Sequence, residues 1–196
     1  YAAGSLALAH NGNLVNAEAI RKELGNKGAI FQSTNDSEVI VHLMAQAKSE
    51  NFVDRAAEAL RQVSGAYSLV LMTETELLAA RDPHGFRPLC LGKLDGAYII
   101  ASETCVMDLI EAEFIREVEP GELILINEDG LQSFFPFKKV EPKHCVFEHI
   151  YFARPDSYIF GEHVYLARKE MGRAMAQESP ADVDLVVPVP DSGVVS

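Results

Sequence analysis

An α+β fold is what this sequence predicts: helices first, then a run of antiparallel hairpins, then the opening of an α/β unit. Three observations carry that expectation. Apolar residues recur at helical spacing after two polar clusters, at Asn16 and at Ser33 to Ser37. From Ala66 onward the apolar period becomes that of strands, with polar or glycine turns between paired runs. Finally, the amphipathic stretch Val164 to Ala176 and the apolar run Leu185 to Val189 break the hairpin rhythm.

The elements follow in order. Gly4 to Ala9 is a short apolar strand running into His10-Asn11-Gly12-Asn13, where Asn-Gly signals a turn. Asn16 is expected to cap a helix through Leu24, with Gly25 as its stop. Ser33-Thr34-Asn35-Asp36-Ser37 caps a second helix, whose buried stripe is Val39, Ile40, Leu43, Met44 and Ala47. A third short helix covers about Val53 to Val63. Three hairpins come next: Ala66 to Met72 with Leu77 to Arg81, Leu89 to Gly92 with Ala97 to Ala101, and Glu122 to Ile126 with Leu131 to Phe135. Ser102 caps a short helix through Ile110, and Val146 to Phe152 is a further apolar run. Leu185 to Val189 reads as a buried strand ending in Pro190-Asp191-Ser192-Gly193. Pro136, Pro142 and Pro155 punctuate a domain boundary between Lys139 and Tyr158.

With 196 residues, 48% of them hydrophobic, the chain is long enough for one large domain or a domain and the start of a second. Its 17 Lys and Arg against 29 Asp and Glu leave a net charge of −12. That argues against nucleic acid or an anionic membrane as partner, since a basic patch would have to neutralise the phosphates. No apolar run approaches the roughly 18 to 20 residues of a membrane span, and no basic, then apolar leader opens the chain. Three cysteines, Cys90, Cys105 and Cys145, with no CxxC pair, argue against a disulfide framework and for a reducing cytoplasm. The sequence starts at Tyr1 without Met and stops at Ser196 after an apolar run and a turn, so it reads as a piece of something longer.

Several residues could carry chemistry. The Asn11 amide beside the Gly12 N–H is the kind of donor pair that stabilises an oxyanion of acyl transfer; its plain alternative is an Asn-Gly turn. Asp36, at a helix start, could bind a ligand ammonium or simply satisfy the first N–H groups of the helix. In Arg81-Asp82-Pro83-His84-Gly85-Phe86-Arg87-Pro88, Asp82 and Arg87 are expected to pair inside a structured turn. Cys145, beside His144 and near His149, fits no structural zinc spacing, and Cys90 and Cys105 read as core. The turn after Leu185 to Val189 could hold phosphate on backbone N–H groups, but it matches neither common phosphate-loop motif.

Taken together, these segments resemble the glutamine phosphoribosylpyrophosphate amidotransferases (amidophosphoribosyltransferases). The matching stretches are Gly4 to Leu14, Asp36 to Ile40, Arg81 to Leu89, Ala101 to Cys105, Val118 to Glu122, Tyr151 to Ser157 and Pro188 to Gly193, in the family's order. The Asn-Gly motif is common to amidotransferases with an N-terminal nucleophile; Tyr151 to Ser157 and Pro188 to Gly193 narrow the match. The resemblance implies a four-layer αββα N-terminal-nucleophile glutaminase domain, truncated at its N-terminus, over residues 1–145. Residues 146–196 would be an interdomain segment and the start of a type I phosphoribosyltransferase domain.

The activity it implies is glutamine-dependent synthesis of 5-phosphoribosylamine from phosphoribosylpyrophosphate, the first committed step of purine synthesis. An N-terminal cysteine attacks the glutamine amide with its own α-amine as base, an amine whose unperturbed pKa near 7.7 to 8.0 suits the task. Asn11 and Gly12 would form the oxyanion hole, and Asp36 would take the glutamine ammonium. Asp191, Ser192 and Gly193 would belong to the pyrophosphate loop. Mg2+ would accompany phosphoribosylpyrophosphate. Some members carry a [4Fe–4S] cluster and others do not; Cys145 stands where its first ligand would be. Purine nucleotides as feedback inhibitors and a homo-oligomer, a tetramer, are further implications. Tyr1 is not a cysteine, so the chain as written is expected to lack glutaminase activity. The rival expectations are another amidotransferase of the same nucleophile class and an inactive module that keeps the fold.

Overall fold

The computed structural model describes residues 5–196, so Tyr1 and Gly4, where the sequence match begins, lie outside the described residues. In chain order the elements are β1 (Ala7–Leu14), α1 (Ala17–Asn26), α2 (Glu38–Gln46), α3 (Phe52–Leu60), β2 (Gly65–Met72) and β3 (Leu77–Arg81). There follow β4 (Cys90–Leu94), β5 (Ala97–Ala101), α4 (Cys105–Leu109), β6 (Glu113–Glu117), β7 (Leu123–Asn127) and β8 (Gly130–Phe134). A π-helical turn (Glu148–Phe152) precedes β9 (Tyr158–Ile159), β10 (Glu162–His163) and α5 (Val164–Glu178). This is an α+β chain in two compact units, one of residues up to Arg87 with Val118–Lys143, the other of Pro88–Glu117 with His144–Ser196. No helix among the described residues is long and apolar enough to cross a membrane.

The first unit is a five-stranded antiparallel sheet in the order β1-β2-β3-β7-β8 with the three helices packed on it. Alternation along the strands supplies the core: Tyr67, Leu69 and Leu71 of β2, Leu78 and Ala80 of β3, and Leu123 and Leu125 of β7 all join it. Leu24, Ile40, Leu43, Met44 and Leu60 are the helical side of the same cluster. Two of the three expected hairpins, β2 with β3 and β7 with β8, form here in the predicted pairing.

Arg81 closes this sheet's most demanding junction. Its guanidinium is almost fully buried at 1% exposure and donates to the carbonyls of Arg87 (2.9 Å), Val118 (2.5 Å) and Gly85 (3.2 Å). The next carboxylate, Asp82, accepts the backbone N–H groups of Tyr67 (3.2 Å), His84 (3.0 Å) and Phe86 (3.2 Å). Gly85 sits at φ +62°, and a Cβ there would press on Pro120, so only glycine fits the turn. The expected pairing of Asp82 with Arg87 does not form: three N–H donors occupy the carboxylate, and the Arg87 guanidinium goes elsewhere.

The second unit holds a three-stranded sheet, β5-β4-β6, and the β9–β10 ribbon. The remaining expected hairpin is β4 with β5. Glu103 accepts from the Arg154 N–H (2.8 Å) and the Ser157 hydroxyl (2.7 Å), and Thr104 Oγ1 accepts from the Tyr158 N–H (2.8 Å). Arg168 on α5 donates to the carbonyls of His149 (2.6 Å) and Ala153 (2.7 Å), holding the π-helical turn. Cys90 and Cys105 are buried, as expected.

Several local expectations are corrected. Asn11-Gly12 is not a turn; it lies within β1, opposite Ser68 and Tyr67. Asn16 does not cap α1, because its side chain is held across the fold by the Gln62 carbonyl (2.9 Å) and the Ser64 N–H (2.8 Å). The helix runs through Gly25 to Asn26. Thr104, not Ser102, precedes α4. Leu185 to Val189 forms no strand: Leu185, Val186, Val187 and Val189 are 74–81% exposed. No described strand pairs with it, and prolines at 188 and 190 remove ladder donors.

Arg81→Met keeps most of the buried volume but strips the Val118 and Gly85 carbonyls of this donor and leaves the Arg87 carbonyl only Ser68 Oγ. It should lower the unfolding free energy in urea by about 2 kcal/mol, at about 1 kcal/mol for each of those two carbonyls. An unchanged urea midpoint would mean that these carbonyls find water.

Candidate functional site

β1 presents His10, Asn11 and Gly12 in succession. Gly12 lies so close to β2 that a Cβ would overlap the Ala66 carbonyl oxygen, which keeps the position a glycine. The neighbouring His10 turns the same way: its Nε2 donates to that carbonyl (3.3 Å), and its Nδ1 lies 2.9 Å from Ser37 Oγ.

Asn11 is fixed differently. Its Oδ1 accepts from Arg87 through Nη2 (3.1 Å) and Nε (3.3 Å). A guanidinium has no acceptor, so the carbonyl end of the amide faces it and Nδ2 is the donor at the other end. Arg87 itself is delivered by the turn that Arg81 and Asp82 build. Sequence reasoning missed this pair; the signal was an Arg-rich turn between two strands, and its partner lay 76 positions away.

Asp36 stands just before α2, but its carboxylate does not cap that helix. Oδ2 accepts from the Leu14 N–H on β1 (2.8 Å), and Oδ1 lies 3.5 Å from His10 Nδ1 and 3.3 Å from Ser37 Oγ. Burial works against its ionisation. The Leu14 N–H, the His10 ring and Ser37 together outweigh burial and hold the carboxyl below the ordinary aspartate range. A part-exposed carboxylate held ionised beside β1 is chemically fit to receive a cation.

Glu38 organises the loop that leads into this corner. It accepts from the N–H groups of Gln32 (2.7 Å) and Ser33 (3.0 Å) and from the Ser33 hydroxyl (2.8 Å), with Arg21 3.9 Å away. The Gln32 N–H, against the opposing effect of burial and helped by Ser33 and Arg21, lowers its pKa from 4.5 to about 2.

Asp191, Ser192 and Gly193 lie in the second unit, where the Gly193 N–H donates to the Val189 carbonyl (3.1 Å) and the Val194 N–H to the Asp191 carbonyl (3.3 Å). Residues 192–194 make a single 3-10 turn. Cys145 is half-buried with a free thiol; His144 is stacked on Phe160 at 4.1 Å. Among the described residues no three His, Cys, Asp or Glu side chains gather as metal ligands. A [4Fe–4S] cluster needs four thiolates, and Cys145 is the one position here that the resemblance offers it; the described residues gather no ligand set for a cluster or for Mg2+.

Residues 1–108 match the family described as a glutamine amidotransferase domain. The chain is 50% identical over 198 residues to the chloroplastic amidophosphoribosyltransferase of Glycine max, a match spanning 100% of this chain and 35% of that protein. It is 47% identical over 191 residues to amidophosphoribosyltransferase of Bacillus subtilis (strain 168), covering 97% of this chain and 40% of the relative. The solved structure of the Bacillus subtilis glutamine phosphoribosylpyrophosphate amidotransferase, complexed with ADP and GMP, matches with a TM-score of 0.94 at 46% identity, over 98% of this chain and 42% of that one. The chain thus spans well under half the length of these relatives.

The acid side of the stability profile carries a signature of Glu38. A depressed folded pKa contributes stability that is present above the unfolded value, 4.5, and is lost as the pH falls toward about 2. Glu38→Gln should therefore be less stable than the parent near neutrality, and the gap should close between about pH 4.5 and 2. A gap that stayed constant over that range, in denaturant titrations at each pH, would show that the carboxylate's charge is not what holds the loop.

Proposed function

This chain belongs to the glutamine amidotransferase domain family, and we propose that the full-length protein is an amidophosphoribosyltransferase. In this reading glutamine is hydrolysed by an N-terminal cysteine, and the ammonia displaces pyrophosphate from phosphoribosylpyrophosphate to give 5-phosphoribosylamine, opening purine synthesis. The observation that carries it is the oriented amide of Asn11 beside Gly12, in a chain similar over its whole length to named amidophosphoribosyltransferases. Tyr1 is not a nucleophile of this kind, so the reading concerns the full-length protein and not these 196 residues by themselves.

Each residue then has a part. The tetrahedral intermediate puts negative charge on the former amide oxygen, and Asn11 Nδ2 and the Gly12 N–H donate to it. Asp36 takes the substrate ammonium, which its lowered pKa favours at cellular pH. Residues 1–145 are assigned to an αββα glutaminase domain and residues 146–196 to an interdomain segment and the start of a phosphoribosyltransferase domain. There Asp191, Ser192 and Gly193 would lie near the pyrophosphate, with Mg2+ entering as part of that substrate. The ADP and GMP bound to the Bacillus subtilis relative support purine nucleotides as regulators here. A homo-oligomer in a reducing, cytoplasm-like compartment completes the reading; three cysteines outside any disulfide support that compartment, although the Glycine max relative is named chloroplastic.

Asn11→Ala in the full-length protein should lower kcat for glutamine-dependent synthesis by about 100- to 1,000-fold, roughly 3 to 4 kcal/mol. Synthesis from added ammonia bypasses this step and should survive nearly unchanged. A parallel fall in both activities would assign Asn11 to the fold instead. Asp36→Asn should mainly raise the glutamine KM, by about 1.5 to 3 kcal/mol for one charge-assisted contact. Unaltered KM with lowered thermal stability would leave Asp36 only its bond to Leu14.

A further inference from the structure

We propose that Arg87 is the positioning residue of the oxyanion donor: its guanidinium fixes the orientation of the Asn11 amide and polarises it, so that Nδ2 meets the developing oxyanion as a strengthened, immobile donor. This rests on the reading of Asn11 given above and extends it to the residue that grips that amide.

The geometry supports three linked points. A primary amide is nearly symmetric in shape, and only its hydrogen-bond partners decide which end is oxygen. Arg87 offers two N–H groups to the same atom, at 3.1 and 3.3 Å, so a flipped amide would set N–H against N–H beside a positive charge. The flipped state is thereby removed, and the donor needs no reorganisation when the oxyanion forms. A cation on the carbonyl oxygen also draws electron density from the amide nitrogen, which makes its N–H groups stronger donors.

The support behind Arg87 is rigid. Its own carbonyl accepts from the buried Arg81 side chain (2.9 Å) and from Ser68 Oγ (3.3 Å) on β2, the strand that pairs with β1. Ser68 is the register partner of Asn11, so the arginine's backbone and the amide it grips are referenced to one strand pair. Lysine carries the charge but not the fork: it can place one donor on Oδ1 and leaves the amide freer to rotate.

The test uses the full-length protein with Asn11→Ala, Arg87→Gln, Arg87→Lys and the Asn11→Ala/Arg87→Gln double variant, each assayed with glutamine and with ammonia. Arg87→Gln should lower glutamine-dependent kcat by about 10- to 100-fold with little change in glutamine KM, less than the about 100- to 1,000-fold loss for removing the donor itself. Arg87→Lys should recover part of that loss, and ammonia-dependent synthesis should persist in all four. In the Asn11→Ala background, Arg87→Gln should add almost nothing, because its effect passes through the missing amide. Full additivity in the double variant, or ammonia-dependent activity falling in step, overturns the positioning role. If Asn11→Ala alone leaves glutamine turnover intact, the reading of Asn11 fails first, whatever Arg87 does.

Discussion

The hydrogen bonds from Arg87 to the Asn11 carbonyl oxygen are the constraint on which the site's arrangement depends. They join the turn that follows β3 to a strand two places across the sheet. For that turn to deliver a guanidinium at a fixed point, its own backbone must be rigid. Arg81 achieves this by burying its charge among carbonyls, and Asp82 by collecting three N–H groups. Burial pushes the Asp82 carboxyl up, and the N–H donors and Arg81 pull it back only in part. Burying an arginine and an aspartate at one turn is costly, and a turn that only joined two strands would need neither.

How much of this was legible in the sequence depends on how far each side chain reaches. The hairpins were readable because period-2 alternation and turn residues such as Asp95-Gly96 and Asp129-Gly130 act over a few positions. The helices were readable from their stripes, but their caps were not. Asn16 has the right chemistry for an N-cap and uses it on Gln62 and Ser64, partners 46 and 48 positions away. Asp82 and Arg87 look like a local ion pair because they are five positions apart with opposite charge, yet each has a better-placed partner. Leu185 to Val189 failed for the opposite reason: an apolar run is a strand only where other strands accept its backbone.

The candidate site shows the same division. Asn11, Gly12 and Asp36 could be singled out by residue type and spacing, because an Asn-Gly pair and a carboxylate before a helix are short motifs. Their supports could not. Arg87, His10 and Ser37 act through contacts that span 27 to 76 positions, and nothing in the local pattern announces them. His10 in particular looks like one more polar residue of a turn. In the fold it lies inward, against Ser37 and the Ala66 carbonyl, within 3.5 Å of Asp36.

That Asn11 and Gly12 lie within a strand changes what they can do. A turn would let the amide and the glycine N–H move with the loop, and a donor pair that shifts by an ångström stabilises an oxyanion poorly. β1 is instead registered to β2 along all eight of its residues, from Ala7 opposite Met72 to Leu14 opposite Gly65. The strand fixes the backbone, the close approach to Ala66 demands a glycine, Arg87 fixes the amide, and Asp36 ties the strand's last N–H to the helix beside it. Four independent restraints converge on five successive residues, from the close-packed Gly12 and the gripped Asn11 at the centre to His10 and Leu14 on either side. A sheet strand needs one of these to be stable. On the proposed function the other three are preorganisation, in which polar groups are held against rotation so that charge can develop in front of them without the protein having to move.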